Sequence, residues 1–192
     1  MSDVYNHSQY LIRKKILKMF GSVFHVYDPN NQVVMYAKLK AFKLKEDIRL
    51  FTGEDMQTEL LSIKARKVLD FSATYDVVDS ITNEKVGALR RKGLKSLIRD
   101  EWILVDTNDI DIGTIKEDGT ALALVRRFLT NLIPQKFHCE IGGANVCDFK
   151  QNFNPFVMKV AVDFSKNTAG ILDKRLGLAA AILLCAIEGR QN

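Results

Sequence analysis

The chain has 192 residues, 47% hydrophobic and 27% charged. This is the make-up of one globular domain with a real core, and it excludes a disordered or fibrous chain. Lys and Arg number 28 against 23 Asp and Glu, a net charge of +5. The excess suits acidic partners such as phospholipid head groups or nucleic acid, and serves solubility alone equally well.

Residues 1–9 are set apart as an N-terminal tail, and 10–192 form a single domain. "YLIRKKILKMF" begins at Tyr10 and is interrupted by Arg13, Lys14, Lys15 and Lys18, so it is no secretory apolar region. Neither the Met-Ser start nor the "EGRQN" end signals lipidation. Ile12, Ile16, Met19 and Phe20 would share one face of a membrane-surface helix; a first strand is the other reading.

A unit then recurs about every 25 residues: a β-rich run, a turn, a second run and a cluster of Lys or Arg. "VFHVYDPNNQVVMYAKLKAFK" turns at Asp28 to Asn31, and "IRLFTGEDMQTELLSIKARK" at Gly53 to Asp55. "ATYDVVDSITNEKVGALRRK" turns around Asn83, "EWILVDTNDIDIGTIKED" at Asn108 and Asp109, and "KFHCEIGGANVCDFK" at Gly142 and Gly143. In the first unit Ala37 and Leu39 alternate with Lys38 and Lys40. The phase flips near Ala41 and Phe42, which predicts a bulge or turn there. Between the last two units, Leu122, Val125, Leu129 and Leu132 recur at helical spacing before Pro134. They predict a short peripheral helix near 119–132, with Arg126 and Arg127 outward. "FVMKVAVDF" is a last strand.

The chain closes on "LDKRLGLAAAILLCAIEGR", predicted helical over about 172–188, with Asp173 in its first turn and Gly189 at its stop. From Leu176 to Ile187 no side chain is charged or strongly polar. Twelve helical residues measure about 18 Å, against about 30 Å of bilayer hydrocarbon, so the segment is too short to span. A helix apolar on every face must be buried on every face. Closing ten to twelve antiparallel strands around it does this and removes the sheet edges too. The expected fold is mainly β: a closed antiparallel barrel of about twelve strands around a central, buried C-terminal helix.

The units "FHVYDPNNQVVMYAK", "VGALRRKGLKSLIRDEWILVD", "ALALVRRFLTNLIPQKF" and "LDKRLGLAAAILLCAIEG" resemble, in that order, the Tubby C-terminal-like superfamily. That superfamily includes Tubby proteins, phospholipid scramblases and LURP-one-related proteins, and the last three units resemble its prokaryotic members. The resemblance runs from about Tyr10 to Glu188. It implies a twelve-stranded barrel around the C-terminal helix, and it favours a first strand at Tyr10. Tubby proteins bind phosphoinositides through basic strand residues. The matching stretch, "YAKLKAFK", implies Lys38 and Lys40 as ligand contacts, although Tubby's own stretch is more densely basic. The proline-rich region, cysteine-rich segment and calcium loop of scramblases have no counterpart in this sequence; Asp106, Asp109 and Asp111 lack EF-hand spacing.

The densest basic cluster is "RRKGLKSLIR", offering Arg90, Arg91, Lys92 and Lys95 to anionic lipid. A solvated barrel exterior is the plainer reading of the same residues, with Asp100 and Glu101 offsetting part of the charge. Nucleic acid is disfavoured, because Trp102 alone follows the cluster and single-strand binders interleave aromatics. No nucleophile, zinc-ligand or phosphate-loop pattern is present. Cys139 and Cys147 with His138 lack a fourth ligand for zinc. The three cysteines form no disulfide framework, which suits a reducing, cytoplasmic setting. The expectation is a non-enzymatic binding module with no metal and no cofactor. It would contact anionic phospholipid or another phosphorylated ligand at the inner face of the plasma membrane. Scramblase-like lipid translocation, or a scaffold for protein partners with no small ligand, are the alternatives.

Overall fold

The computed structural model describes residues 3–17, 21–39, 47–66, 73–92, 101–118, 135–152 and 157–187. The predicted helix near 119–132, the phase flip at Ala41 and Phe42, Lys40, Lys95 and Gly189 lie outside these residues. Alternation governs the wall. In β1 (Gln9–Leu17), Tyr10, Ile12 and Lys14 are buried while Arg13 and Lys15 are exposed, so this segment is a strand and not a surface helix. β2 (Gly21–Tyr27), β3 (Val33–Leu39), β4 (Asp47–Phe51), β5 (Glu59–Ala65), β6 (Thr74–Asp79) and β7 (Glu84–Arg91) follow. They continue into β8 (Glu101–Val105), β9 (Asp111–Glu117), β10 (Lys136–Ile141), β11 (Ala144–Asn152) and β12 (Val157–Asp163). Each strand pairs antiparallel with its sequence neighbours. β12 pairs with β1, so the sheet closes into a twelve-stranded barrel without an edge.

The turns fall where their chemistry asks for them. Asn31, Asn83 and Asp109 take the left-handed conformation, with φ of 61°, 59° and 64°, which short polar side chains tolerate best. Asp28 Oδ1 accepts from the amides of Asn30 and Gln32 at 2.9 and 2.8 Å. Asp106 does the same for Asn108 and Ile110. Gly142 and Gly143 both have positive φ, which a two-residue hairpin between right-twisted strands requires. Within the N-terminal segment set apart as a tail, Asp3–Tyr5 forms a 3-10 turn and Tyr5 is buried.

A single helix, α1 (Lys174–Ile187), follows β12 among the described residues. Every residue from Leu176 to Ala186 is buried, a stretch of about three turns, so no face reaches water. These side chains share one apolar cluster with Phe24, Met35, Leu50, Ile63, Leu89, Leu104, Phe149 and Val162 of the strands. Small residues let the helix sit close to its neighbours: a Cβ on Gly177 would stand 2.5 Å from Phe164 Cε1. Both helix ends are tied to strands. Asp173 accepts from the Arg175 amide at 2.9 Å as an N-cap. The Arg175 guanidinium then reaches Asp173 at 2.6 Å and Asp79 of β6 at 2.7 Å. At the far end, the buried Lys14 of β1 donates to the Cys185 carbonyl at 2.7 Å, with its ammonium 5.8 Å from the centre of the Phe24 ring. A cation there satisfies an orphan carbonyl and complements the negative end of the helix.

Candidate anion-binding face

The expected site residues divide once neighbouring strands are in place. Lys38 stands on the outer face of β3, exposed, and has no carboxylate within ion-pair distance among the described residues. Arg90 and Lys92 are committed. Arg90 meets Asp111 of β9 at 2.5 Å, and Lys92 meets Glu101 of β8 at 2.8 Å. Arg91 is partly buried beside them. Among the described residues of the cluster that is densest in sequence, Arg90 and Lys92 are therefore neutralised across strands.

The same pattern covers the wall from β4 to β9. Arg49 pairs with Asp47 and Glu59 at 3.1 Å each. Arg66 pairs with Asp76 at 2.7 Å and also with Asp109, and Lys85 reaches Asp109 at 2.9 Å. Lys116 lies 3.9 Å from Glu140. Among the described residues Lys64 is the exception, set in register between Asp47 and Asp76 without a direct contact.

From β10 round to β1 the exterior differs. Lys136 of β10 stands directly opposite Lys150 of β11, and Lys159 of β12 directly opposite Arg13 of β1. Like charges facing each other across strands destabilise a sheet by a few tenths of a kcal/mol to about 1 kcal/mol per pair. Lys15 continues the row two residues beyond Arg13. None of the five has a carboxylate within ion-pair distance among the described residues; Arg13 instead lies 5.5 Å over the Tyr27 ring. The nearest acids, Asp118, Asp148 and Asp163, border the row and have other partners; Asp163 accepts from the Gln9 side chain at 3.3 Å and the Ser165 amide at 2.8 Å. His138 bridges Asp118 and Asp148 at 2.5 Å through its two ring nitrogens, and Lys166 holds the other Asp148 oxygen at 2.7 Å. Partial burial raises the Asp148 pKa, but bonds from Lys166, Asn145 and His138 outweigh it and bring it down to about 2. That carboxylate is fully ionised near neutral pH and locked in place.

Sequence reasoning missed this row because its members are up to 146 residues apart, Arg13 to Lys159. The local signal was present: Arg13 and Lys15 are out of phase with Tyr10 and Ile12, as Lys159 is with Val160. Only register shows that they face one another.

Other chemistry is quiet. Cys139 and Cys147 oppose each other across β10 and β11 as free, buried thiols, and Cys185 is buried in α1. Burial pushes the Cys139 and Cys185 thiols up to about 12 and Cys147 further in the same direction. Among the described residues no three His, Cys, Asp or Glu side chains are arranged to hold a metal, and no helix is long and apolar enough to cross a membrane.

No family model matches the chain, and no curated protein matches it. Among solved structures it is similar to an X-ray structure of a protein from Arabidopsis thaliana. The identity is 12%, the TM-score 0.50, and the match covers 95% of this chain and 92% of that one. Likeness at that identity concerns the fold: nearly the whole of each chain follows one path.

Proposed function

We propose that this chain is a non-enzymatic binding module of the Tubby-like class, in which α1 runs through the barrel as its core and exterior Lys and Arg hold a phosphate-bearing ligand. Anionic phospholipid at a membrane surface is the ligand that this chemistry fits first. The single observation carrying the reading is the unneutralised row on β10, β11, β12 and β1. Two like-charge cross-strand pairs persist there, while Arg90, Lys92, Arg66 and Lys85 elsewhere find carboxylates. A sheet that keeps such a cost gains from an external anion. The resemblance of "YAKLKAFK" to Tubby's basic strand adds Lys38 at the edge of the same side of the barrel, two strands from Lys15.

Co-sedimentation with phosphatidylserine vesicles over a salt series tests the reading. Pelleting at low salt that falls steeply as salt rises is expected, because contacts between exposed charges are screened within about 10 Å at 0.1 M salt. Lys38→Glu is expected to weaken binding several-fold. If the chain neither pellets with any anionic vesicle nor binds a soluble inositol phosphate at low salt, the reading fails.

A further inference from the structure

We infer that the surface laid against lipid is the wall β10–β11–β12–β1, through Lys136, Lys150, Lys159, Arg13 and Lys15, and that its partner is the face of an anionic bilayer. The inference rests on the anion-binding reading above and narrows it to one wall and one partner.

Three strand steps of about 4.8 Å separate Lys136 from Arg13, so the row is roughly 14 Å wide. It lies on the outside of a closed barrel, where side chains diverge instead of converging. Five diverging cations cannot close around one phosphate group. A bilayer surface offers laterally mobile phosphates and carboxylates that meet each cation where it stands. The outward residues between the cations suit that contact. Leu11 and Val157 are half-buried and Ala161 is exposed; Asp148 and Asp163 lie one outward position beyond Lys150 and Ala161, at the border of the row. Four of the five cations are lysines, whose apolar stems can lie on the wall while the ammonium reaches the head groups. Stacking platforms for single-stranded nucleic acid are confined to one end of the row, where Arg13 lies over the Tyr27 ring and opposite His25, whose ring is bonded to Glu54.

The cross-strand geometry supplies a test that separates binding from folding. Lys136→Glu and Lys159→Glu each convert a repelling pair into an attracting one, with Lys150 and Arg13 respectively. The double variant is expected to melt at or above the wild-type Tm. Its partition onto vesicles of one part phosphatidylserine to two parts phosphatidylcholine is expected to fall at least 25-fold at low salt, about fivefold or more for each charge. Lys64→Glu/Lys85→Glu makes the same change in net charge on the opposite side and is expected to stay within about threefold of wild type. If the wild type binds vesicles and the band variant weakens no more than this control, the assignment of the wall is overturned while lipid binding stands. The bilayer assignment is overturned if the wild type binds soluble inositol phosphate or duplex DNA as tightly as vesicles, through these same residues. Should the reversed variant fail to fold, Lys136→Gln/Lys159→Gln carries the same comparison.

Discussion

Ala180→Asp or Leu183→Asp is expected to leave the chain unable to fold. Ala180 is 3% exposed and Leu183 fully buried, and both lie in a helix whose neighbours along the chain are buried on every side. An ionised carboxylate there would have no partner and no route to water. After relaxation, its desolvation still costs several kcal/mol. A domain of this size holds only about 5–15 kcal/mol in total, and the carboxylate would also displace packed apolar atoms. Circular dichroism and soluble yield read the outcome. Leu183→Met, which conserves apolar volume, should cost less than about 1.5 kcal/mol and serves as the control. A variant with Asp at either position and a near-normal melting transition would mean that one face of the helix is open.

Arg175→Met is expected to be the next most damaging single change, at about 3–5 kcal/mol. Asp79 is 4% exposed and keeps its charge through the Arg175 guanidinium at 2.7 Å and the Ile81 and Thr82 amides. Burial is the largest influence on its pKa and pushes it up. The Arg175 bond and the two amides together outweigh burial and hold the pKa below the usual carboxylate range. A depressed folded-state pKa stabilises the fold above the unfolded value near 4, and that contribution is lost as pH falls through the folded value. With Arg175 gone, burial dominates and Asp79 takes up a proton more readily. The stability gap between wild type and Arg175→Met should therefore be full near neutral pH, begin to shrink as pH falls through the raised pKa of the unpaired Asp79, and be smallest below the depressed wild-type value. Urea titrations at several pH values measure it. Replacing both partners with apolar residues of similar size should recover much of the loss, because no buried charge is then stranded.

The fold was legible because each local signal agreed with the others. Asn31, Asn83, Asp109 and the pair Gly142 and Gly143 mark turns by their own backbone preferences, and period-2 alternation between them assigns a face to each residue. The all-apolar helix then called for a wall on every side. The site was much less legible. "RRKGLKSLIR" is conspicuous in sequence, yet Asp111 and Glu101 arrive from other strands to neutralise Arg90 and Lys92. Lys14 looks like one more exposed cation in "RKK", although it is in phase with Tyr10 and Ile12 and is buried against the end of α1. Charge matching between strands depends on register, and register between β1 and β12 is set by the closing of the whole barrel.

That the barrel closes around α1 is the central proposal, and the reactivity of the Cys185 thiol tests it most directly. Burial takes Cys185, Cys139 and Cys147 out of reach and pushes all three pKa values up, which suppresses the reactive thiolate. Three variants, each keeping one of these cysteines, are labelled with a thiol reagent in rising denaturant. If the helix is the core, Cys185 reacts only when the barrel unfolds, with the same free energy and the same denaturant dependence as Cys139 and Cys147 in the wall. Rapid labelling of Cys185 without denaturant, while Cys139 and Cys147 stay protected, would contradict the account.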